Sequence, residues 1–325
     1  MIILAGPTAV GKSALGVALA KAVNGAVISA DSMQVYKYMD IGSAKISREE
    51  MQGVPHYLVD LLEPAEEFHV VRFVSLAKEA LSEIYANGQI PIVVGGTGFY
   101  IQALLYDIDF SEQECDAAYR RELEQIARDQ GADALHRMLK EADPKAAEEI
   151  HANNIKRTIR ALEFYHLSGE RISAHNEKER QKKSAYNFAY FVLNDDRGKL
   201  YERINSRVDR MIEAGLVGEV ERLKEMGCRR DMVAMQGLGY KEILDYLDGR
   251  VTLPEAVDTI KKETRHFAKR QLTWFRRERD VIWLGQQEYQ YEREQIMGRM
   301  LAVLREKNIM ESVQETFSSL IDRRW

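Results

Sequence analysis

The run Gly6-Pro7-Thr8-Ala9-Val10-Gly11-Lys12-Ser13 matches GxxxxGK[ST] without a gap. It lies between the apolar run MIILAG and the helical pattern SALGVALAKAVNG, which is the context this motif requires. Glycines let backbone N–H groups converge on phosphate oxygens, the helix N-terminus adds positive potential, and Lys12 supplies a point charge. Ser13 offers its hydroxyl to Mg²⁺. These eight residues call for a diphosphate or triphosphate and leave open which bond breaks.

The carboxylate nearest to such a site in the sequence is Asp31, where the apolar run GAVISAD gives way to DSMQVY. At the carboxyl end of a parallel strand it faces the crevice where ligands bind. Three roles compete for it: N-cap of the next turn, a carboxylate that orders the water ligands of Mg²⁺, or a general base for an acceptor opposite the phosphates. Motor and switch NTPases carry their Mg²⁺-linked acid at the end of a later strand. Here the later strand IPIVV ends in Gly95-Gly96-Thr97-Gly98, with no acid. Asp60, inside the run HYLVDLL, is a weaker candidate that suits a paired structural acid equally well.

These groups need a sheet to hold them. MIILAG, GAVISAD, HYLVDLL and IPIVVGG read as strands, with helical patterns in SALGVALAKAVNG and VVRFVSLAKEALSEIYANG. Continuous apolar strands separated by helices predict an α/β fold, a parallel sheet covered on both faces. After Gly98 the chain turns charged and helical from about Ser111 to Lys183, then NFAYFVLN reads as one more core strand. The expected organisation is a discontinuous core of residues 1–111 and 184–285, a helical insertion of 112–183, and a helical tail of 286–325. VIWLG is a candidate closing strand.

Composition narrows the class. A 45% hydrophobic and 30% charged content suits a globular chain. No apolar run is long enough to span a bilayer, and the N-terminus carries no signal-peptide pattern, so a cytoplasmic address is expected. Cys115 and Cys228 form neither a disulfide framework nor a zinc site. The net charge of −5 does not advertise nucleic acid, but local patches matter more than the total. His56 and His69 adjoin apolar segments and are assigned no chemistry.

Two stretches are strongly basic. Lys261 to Arg279 holds eight Lys/Arg against two Glu. At helical spacing Ile260, Thr264, Phe267, Ala268, Gln271 and Phe275 share one face, and Lys262, Arg265, Lys269 and Arg276 gather opposite. Contact with RNA phosphates is favoured over a merely solvated face, and Trp274 is assigned to the core. The second is a helix start capped by Asn153 or Asn154, where Lys156, Arg157 and Arg160 crowd the first turns and Ile155, Ile159 and Leu162 pack inward. It suits an RNA phosphate or a diphosphate, or pairing with Glu163. Arg203 and Arg207, four apart on a later helix, either face the diphosphate or bind carboxylates of the helix they pack against.

At GPTAVGKS, DSMQVY and GGTGFY together, the chain resembles the tRNA dimethylallyltransferases. HANNIKRTIRALE, LYERINSRVDRMIEAGLVGEV, MQGLGYKEI and RHFAKRQLTWFRR continue the match in order. The resemblance implies a P-loop kinase-like core with an inserted all-helical domain that grips the anticodon arm. It implies transfer of a dimethylallyl group from its diphosphate to N6 of the adenosine 3′-adjacent to the anticodon, in tRNAs reading codons that start with U. Carried over by position, Gly6, Pro7, Thr8, Ala9, Val10, Gly11, Lys12 and Ser13 hold the diphosphate, with Arg203 and Arg207 as further contacts. Asp31 is the base, with Lys12 and Thr97 also catalytic. Ser32, Met33 and Gln34 line the adenine pocket. Thr97, Arg120 and the segment Lys156, Arg157, Thr158, Ile159 and Arg160 touch RNA, with Arg265, Lys269 and Arg276 as additional tRNA contacts. Mg²⁺ is the expected cofactor; dimethylallyl diphosphate and the anticodon stem-loop are the expected partners, with no membrane and no obligate protein partner. The eukaryotic branch carries a C-terminal zinc finger whose Cys/His spacing is missing here, so the chain looks like the bacterial form.

Two other activities fit parts of the pattern. The phosphate loop with Asp31 suits a kinase moving a phosphoryl group from ATP to a small acceptor. A prenyltransferase acting on free adenine nucleotide needs the same loop without the basic helices. A non-catalytic RNA-binding P-loop protein is the third possibility.

Overall fold

The computed structural model describes residues 1–108 and 116–310. They form two compact units: Met1–Leu105 with the chain from Tyr186 onward, and Tyr106–Ala185. The first is built on a six-stranded sheet of β1 (Ile2–Ala5), β2 (Gly25–Ala30), β3 (His56–Tyr57), β4 (Ile90–Gly95), β5 (Ala189–Asn194) and β6 (Val281–Gly285). The order is β3-β2-β4-β1-β5-β6 and every pairing is parallel. The run HYLVDLL contributes only its first two residues as a strand: Leu58 and Asp60 take φ of 61° and 54°, and the chain turns away.

Register brings the chemistry together. Ala5 pairs with Gly95 and with Val192, and Ala30 pairs with Gly95. The residues that follow, Gly6, Asp31 and Gly96, therefore leave the sheet at one level along its carboxyl edge. Side chains of β1 are fully buried, and each large one contributes about 1.5–3 kcal/mol relative to exposure, so this edge is anchored.

The helices are α1 (Lys12–Val23), α2 (Arg48–Met51), α3 (Val70–Ala86), α4 (Gly98–Tyr106), α5 (Ala117–Gln130), α6 (Ala132–Ala142), α7 (Pro144–Glu149), α8 (Ile155–Ser168), α9 (Ile172–Gln181), α10 (Arg197–Glu213), α11 (Leu216–Glu225), α12 (Tyr240–Leu247), α13 (Leu253–Phe275) and α14 (Arg293–Glu306). Ile296, Met300, Val303 and Leu304 of α14 pack into the core with Ile2, Leu4 and Phe191, so the tail's described part is integral to the sheet unit. Residues 311–325 of that expected tail, and Cys115, lie outside the described residues. Among the described residues no helix is long and apolar enough to cross a membrane.

The second unit, α5 to α9, closes over its own core of Leu123, Leu135, Leu139, Ile150, Ile159 and Leu162. Its ends, Tyr106 and Ala185, differ by a few residues from the 112–183 that the change in sequence character suggests, because α4 continues the β4 crossover as far as Tyr106.

Candidate active site

The phosphate loop runs from β1 into α1. Gly6 has φ 149°, and a Cβ there would lie 2.4 Å from the Leu193 carbonyl oxygen, so only glycine lets the loop pass this close to β5. α1 starts without a side-chain cap at Gly11, and its first N–H groups have no intrahelical acceptor. Lys12 folds back, its Nζ donating to the Pro7 carbonyl at 2.7 Å. Burial, and after it the Arg207 guanidinium, push the Lys12 ammonium down to about 7, while Asp31 pulls it up. Ser13 sits exposed at the loop–helix junction, a hard oxygen donor of the kind Mg²⁺ uses alongside phosphate oxygens and water.

Asp31 performs the capping role and also faces the loop. Its Oδ1 accepts from Met33 N–H at 2.9 Å, while its charge is felt by both Lys12 and Arg207. Asp31, Ser32, Met33 and Gln34 are all half-buried. Ser29 Oγ donates to Gln34 Oε1 at 3.2 Å, and Gln34 Nε2 donates to the Ala44 carbonyl at 3.2 Å. Thr97, also half-buried, is tied by its N–H to the Ala30 carbonyl at 3.2 Å, next to Asp31. Asp60 proves to be a structural acid: it pairs with Lys45, whose Nζ also holds Asp40 at 2.6 Å and the Tyr36 carbonyl at 2.7 Å. The histidines are structural too: His69 caps α3, and His56 Nδ1 lies 2.8 Å from the Val54 carbonyl.

The two arginines of α10 separate. Arg207 Nη1 donates to Thr8 Oγ1 at 3.4 Å and is buried enough that its own ionisation is shifted down. Arg203 instead lies 3.0 Å from Asp195 Oδ2, with Nη1 3.5 Å from Gln286 Oε1. Gln286 Nε2 donates to the Val10 carbonyl at 2.8 Å. Arg203 thus binds a carboxylate, but that of Asp195 in the short link before its own helix rather than one on a packed helix.

On α13 the inward face is Ile260, Ala268, Gln271 and Phe275, as its periodicity predicts. The outer face departs from expectation. Arg265 Nη1 donates to Asn205 Oδ1 of α10 at 2.6 Å, and neighbouring Lys261 pairs with Asp209 at 2.5 Å. Arg265 is thereby turned toward α10, because its step around the helix points at the neighbour. A groove is lined by His266, Lys269, Arg270, Thr273, Trp274 and Arg277, and Arg276 is exposed at the helix end. Trp274 is half-buried, edge-on to Phe99 at 5.9 Å, and forms the groove wall rather than core.

In the helical unit, Asn154 caps α8, accepting from Arg157 N–H at 3.3 Å. Lys156, Arg157 and Arg160 are exposed. Thr158 and Ile159 correct the expectation of RNA contact along the whole segment: both side chains are buried, Ile159 in the unit's core and Thr158 with its hydroxyl on the Asn154 carbonyl at 3.1 Å. Glu163 is taken by Arg120, not by a neighbour on its own helix. The fork is bidentate, at 2.6 and 2.7 Å.

A family model described as IPP transferase matches residues 34–278, three-quarters of the chain. The chain belongs to the IPP transferase family. A second model, Isopentenyl transferase, matches residues 1–61. A tRNA dimethylallyltransferase of Lachnoclostridium phytofermentans is 60% identical over 311 residues, 96% of this chain and 99% of the relative. The crystal structure of a full-length tRNA isopentenylpyrophosphate transferase from Bacillus halodurans superposes with a TM-score of 0.71 at 45% identity, covering 94% of this chain and 97% of the other. A eukaryotic dimethylallyltransferase captured acting on tRNA gives a TM-score of 0.74 at 30% identity, with 88% of this chain and 73% of that one covered. The family's P-loop NTPase-like fold is the parallel sheet described above.

Within this IPP transferase fold, two buried polar residues that motif reading passes over organise the site. Glu219 of α11 accepts from Asp40 N–H and Ile41 N–H at 2.9 and 2.7 Å, from Gly42 N–H at 3.0 Å, and from Tyr240 Oη–H at 2.9 Å. It pins the loop whose Ala44 carbonyl holds Gln34. Gln271 joins the phosphate loop to Gly96. The one sequence signal for either is a polar residue on an apolar helical face, visible for Gln271 between Ala268 and Phe275.

Proposed function

We propose that the chain transfers a dimethylallyl group from dimethylallyl diphosphate to N6 of the adenosine 3′-adjacent to the anticodon, in tRNAs reading codons that start with U, releasing diphosphate. The observation that carries this reading is the register that sets Asp31 level with the phosphate loop, while the strand end after β4 supplies Thr97 and no acid. The full-length kinship with tRNA dimethylallyltransferases supports it, and the cytoplasm is the corresponding address.

The chemistry follows from the residues. An allylic diphosphate ionises toward a delocalised carbocation when negative charge on the leaving group is stabilised. The α1 N–H groups, Lys12 and Arg207 meet that charge. The Ser13 hydroxyl would hold Mg²⁺, which would supply Lewis-acid stabilisation of the same leaving group. The adenine amine is a poor nucleophile, since its lone pair is shared with the ring, and it loses a proton as the C–N bond forms. Asp31 takes that proton. Ser32, Met33 and Gln34 receive the base, which must leave the anticodon-loop stack to reach them. Thr97 lies beside the reacting amine. Lys156, Arg157 and Arg160, with Lys269 and Arg276, meet RNA phosphates.

Incubation with dimethylallyl diphosphate and an anticodon stem-loop, without ATP, tests this. Prenylated adenosine by mass spectrometry is the expected product. Phosphate transfer from ATP, or prenylation of free AMP in preference to RNA, contradicts the reading. RNA binding with the base left unmodified contradicts it too.

A further inference from the structure

Gln271 is 7% exposed and uses both ends of its amide. Oε1 accepts from Thr8 N–H in the phosphate loop at 2.9 Å, and Nε2 donates to the Gly96 carbonyl at 3.0 Å. A Cβ at Gly96 would lie 2.1 Å from Nε2, so this approach needs glycine. Gly96 precedes Thr97, whose N–H bonds the Ala30 carbonyl beside Asp31. Thr8, at the other end, accepts from Arg207 Nη1 through its hydroxyl oxygen. A single amide therefore spans the loop assigned to the diphosphate and the loop assigned to the acceptor. Glutamine alone among the common side chains of this length has one donor end and one acceptor end. Glutamate would face the Gly96 carbonyl with a second oxygen.

We propose that Gln271 is a positioning residue for prenyl transfer, its amide fixing the distance between the leaving diphosphate and the acceptor base. This rests on the dimethylallyltransferase reading above. Carbon transfer to a weak nucleophile requires the reacting atoms at near-attack separation, and a displacement of about 1 Å costs about a hundredfold in rate. A misplaced acceptor has a second consequence. When the allylic C–O bond breaks and the amine is out of reach, water attacks the carbon instead. It gives up its proton to solvent, and the products are dimethylallyl alcohol and diphosphate. Loss of positioning therefore changes what is made as well as how fast.

The test compares the native enzyme with Gln271→Glu and Gln271→Met, using labelled dimethylallyl diphosphate and an anticodon stem-loop. Both prenylated RNA and dimethylallyl alcohol are counted. The expected result is a fall in kcat of about thirtyfold or more, Kd for the RNA within about threefold of native, and a clear rise in alcohol formed per RNA prenylated. Where a Gln271 variant does not fold by circular dichroism, Gly96→Ala tests the same contact by crowding Nε2. Native kcat in the variants overturns the proposal. So does a reduced kcat with an unchanged product ratio, the mark of a purely structural role. No prenyl transfer by the native enzyme overturns the parent reading and this inference with it, and that outcome shows in the native arm alone.

Discussion

Arg207 Nη1 reaches Thr8 Oγ1 at 3.4 Å, whereas Arg203, one turn earlier on the same helix, is held by Asp195, whose side chain is 0% exposed. The two substitutions should therefore fail differently. Arg207→Ala is expected to raise KM for dimethylallyl diphosphate about tenfold or more by removing a charge-assisted contact, with little change in Tm. Arg203→Ala leaves a buried carboxylate short of its partner and is expected to cost about 2–3 kcal/mol of stability, read as a lower urea midpoint. Equal effects of both on KM would contradict this division.

Asp31 both accepts from Met33 N–H and stands beside Lys12 and Arg207, so a simple deletion confounds cap and base. Asn keeps the acceptor oxygen and cannot take a proton. Asp31→Asn and Asp31→Ala are both expected to lower kcat by about 10²–10⁴, with RNA affinity within about threefold of native. Near-native turnover by the Asn variant assigns Asp31 to capping alone.

Lys12 gives a pH signature. Its ammonium is held to about 7, chiefly by burial, and a bound diphosphate favours the charged form. The bound value is then higher than the free one, so affinity is complete below pH 7 and falls as pH rises above it. Kd for dimethylallyl diphosphate is expected to rise by up to about tenfold per pH unit between about pH 7 and 9. Calorimetry in buffers of different ionisation enthalpy should show uptake approaching one proton at about pH 8. Lys12→Met removes that uptake and also corrects for the ligand's own ionisation. Uptake that persists in the variant contradicts the assignment.

The four central strands were legible because they are buried on both faces and read as continuous apolar runs, from IILA to AYFVLN. The phosphate loop was legible because eight consecutive residues make it. What stayed hidden depends on pairing between distant segments. Arg120 and Glu163 are 43 positions apart, and Gln271 meets Thr8 across 263. No periodicity carries such pairs. Helical spacing placed Arg265 on the outer side of α13, but it could not say that α10 packs there with Asn205 to receive it. Thr158 and Ile159 enter the binding segment only through the family resemblance, carried over by position; helical spacing sets Ile159 inward, where the structure has it.

Arg120 shows how a pairing role and an RNA role can be separated. Glu163, its side chain 7% exposed, accepts both arms of the guanidinium. Arg120→Ala is expected to destabilise the protein by about 3 kcal/mol by stranding that carboxylate. Arg120→Ala with Glu163→Met removes both charges and should recover most of the stability. If Arg120 also meets RNA, anticodon stem-loop affinity stays low in the double variant even though folding returns. Full recovery of affinity confines Arg120 to the pairing.

The groove of α13 sets cationic side chains beside an aromatic wall, with Lys269, Arg270 and Arg277 near Trp274. Each RNA phosphate that such a surface ceases to neutralise lowers the slope of log Kd against log salt by about one, and weakens binding across RNA sequences alike. Lys269→Ala with Arg277→Ala is expected to reduce that slope by about two and to raise KM for the stem-loop, leaving KM for dimethylallyl diphosphate unchanged. Arg265→Ala is the control: its guanidinium is engaged with Asn205, so its salt slope should match the native protein. A slope unchanged in the double variant, or lowered by Arg265→Ala, removes this groove from the RNA interface.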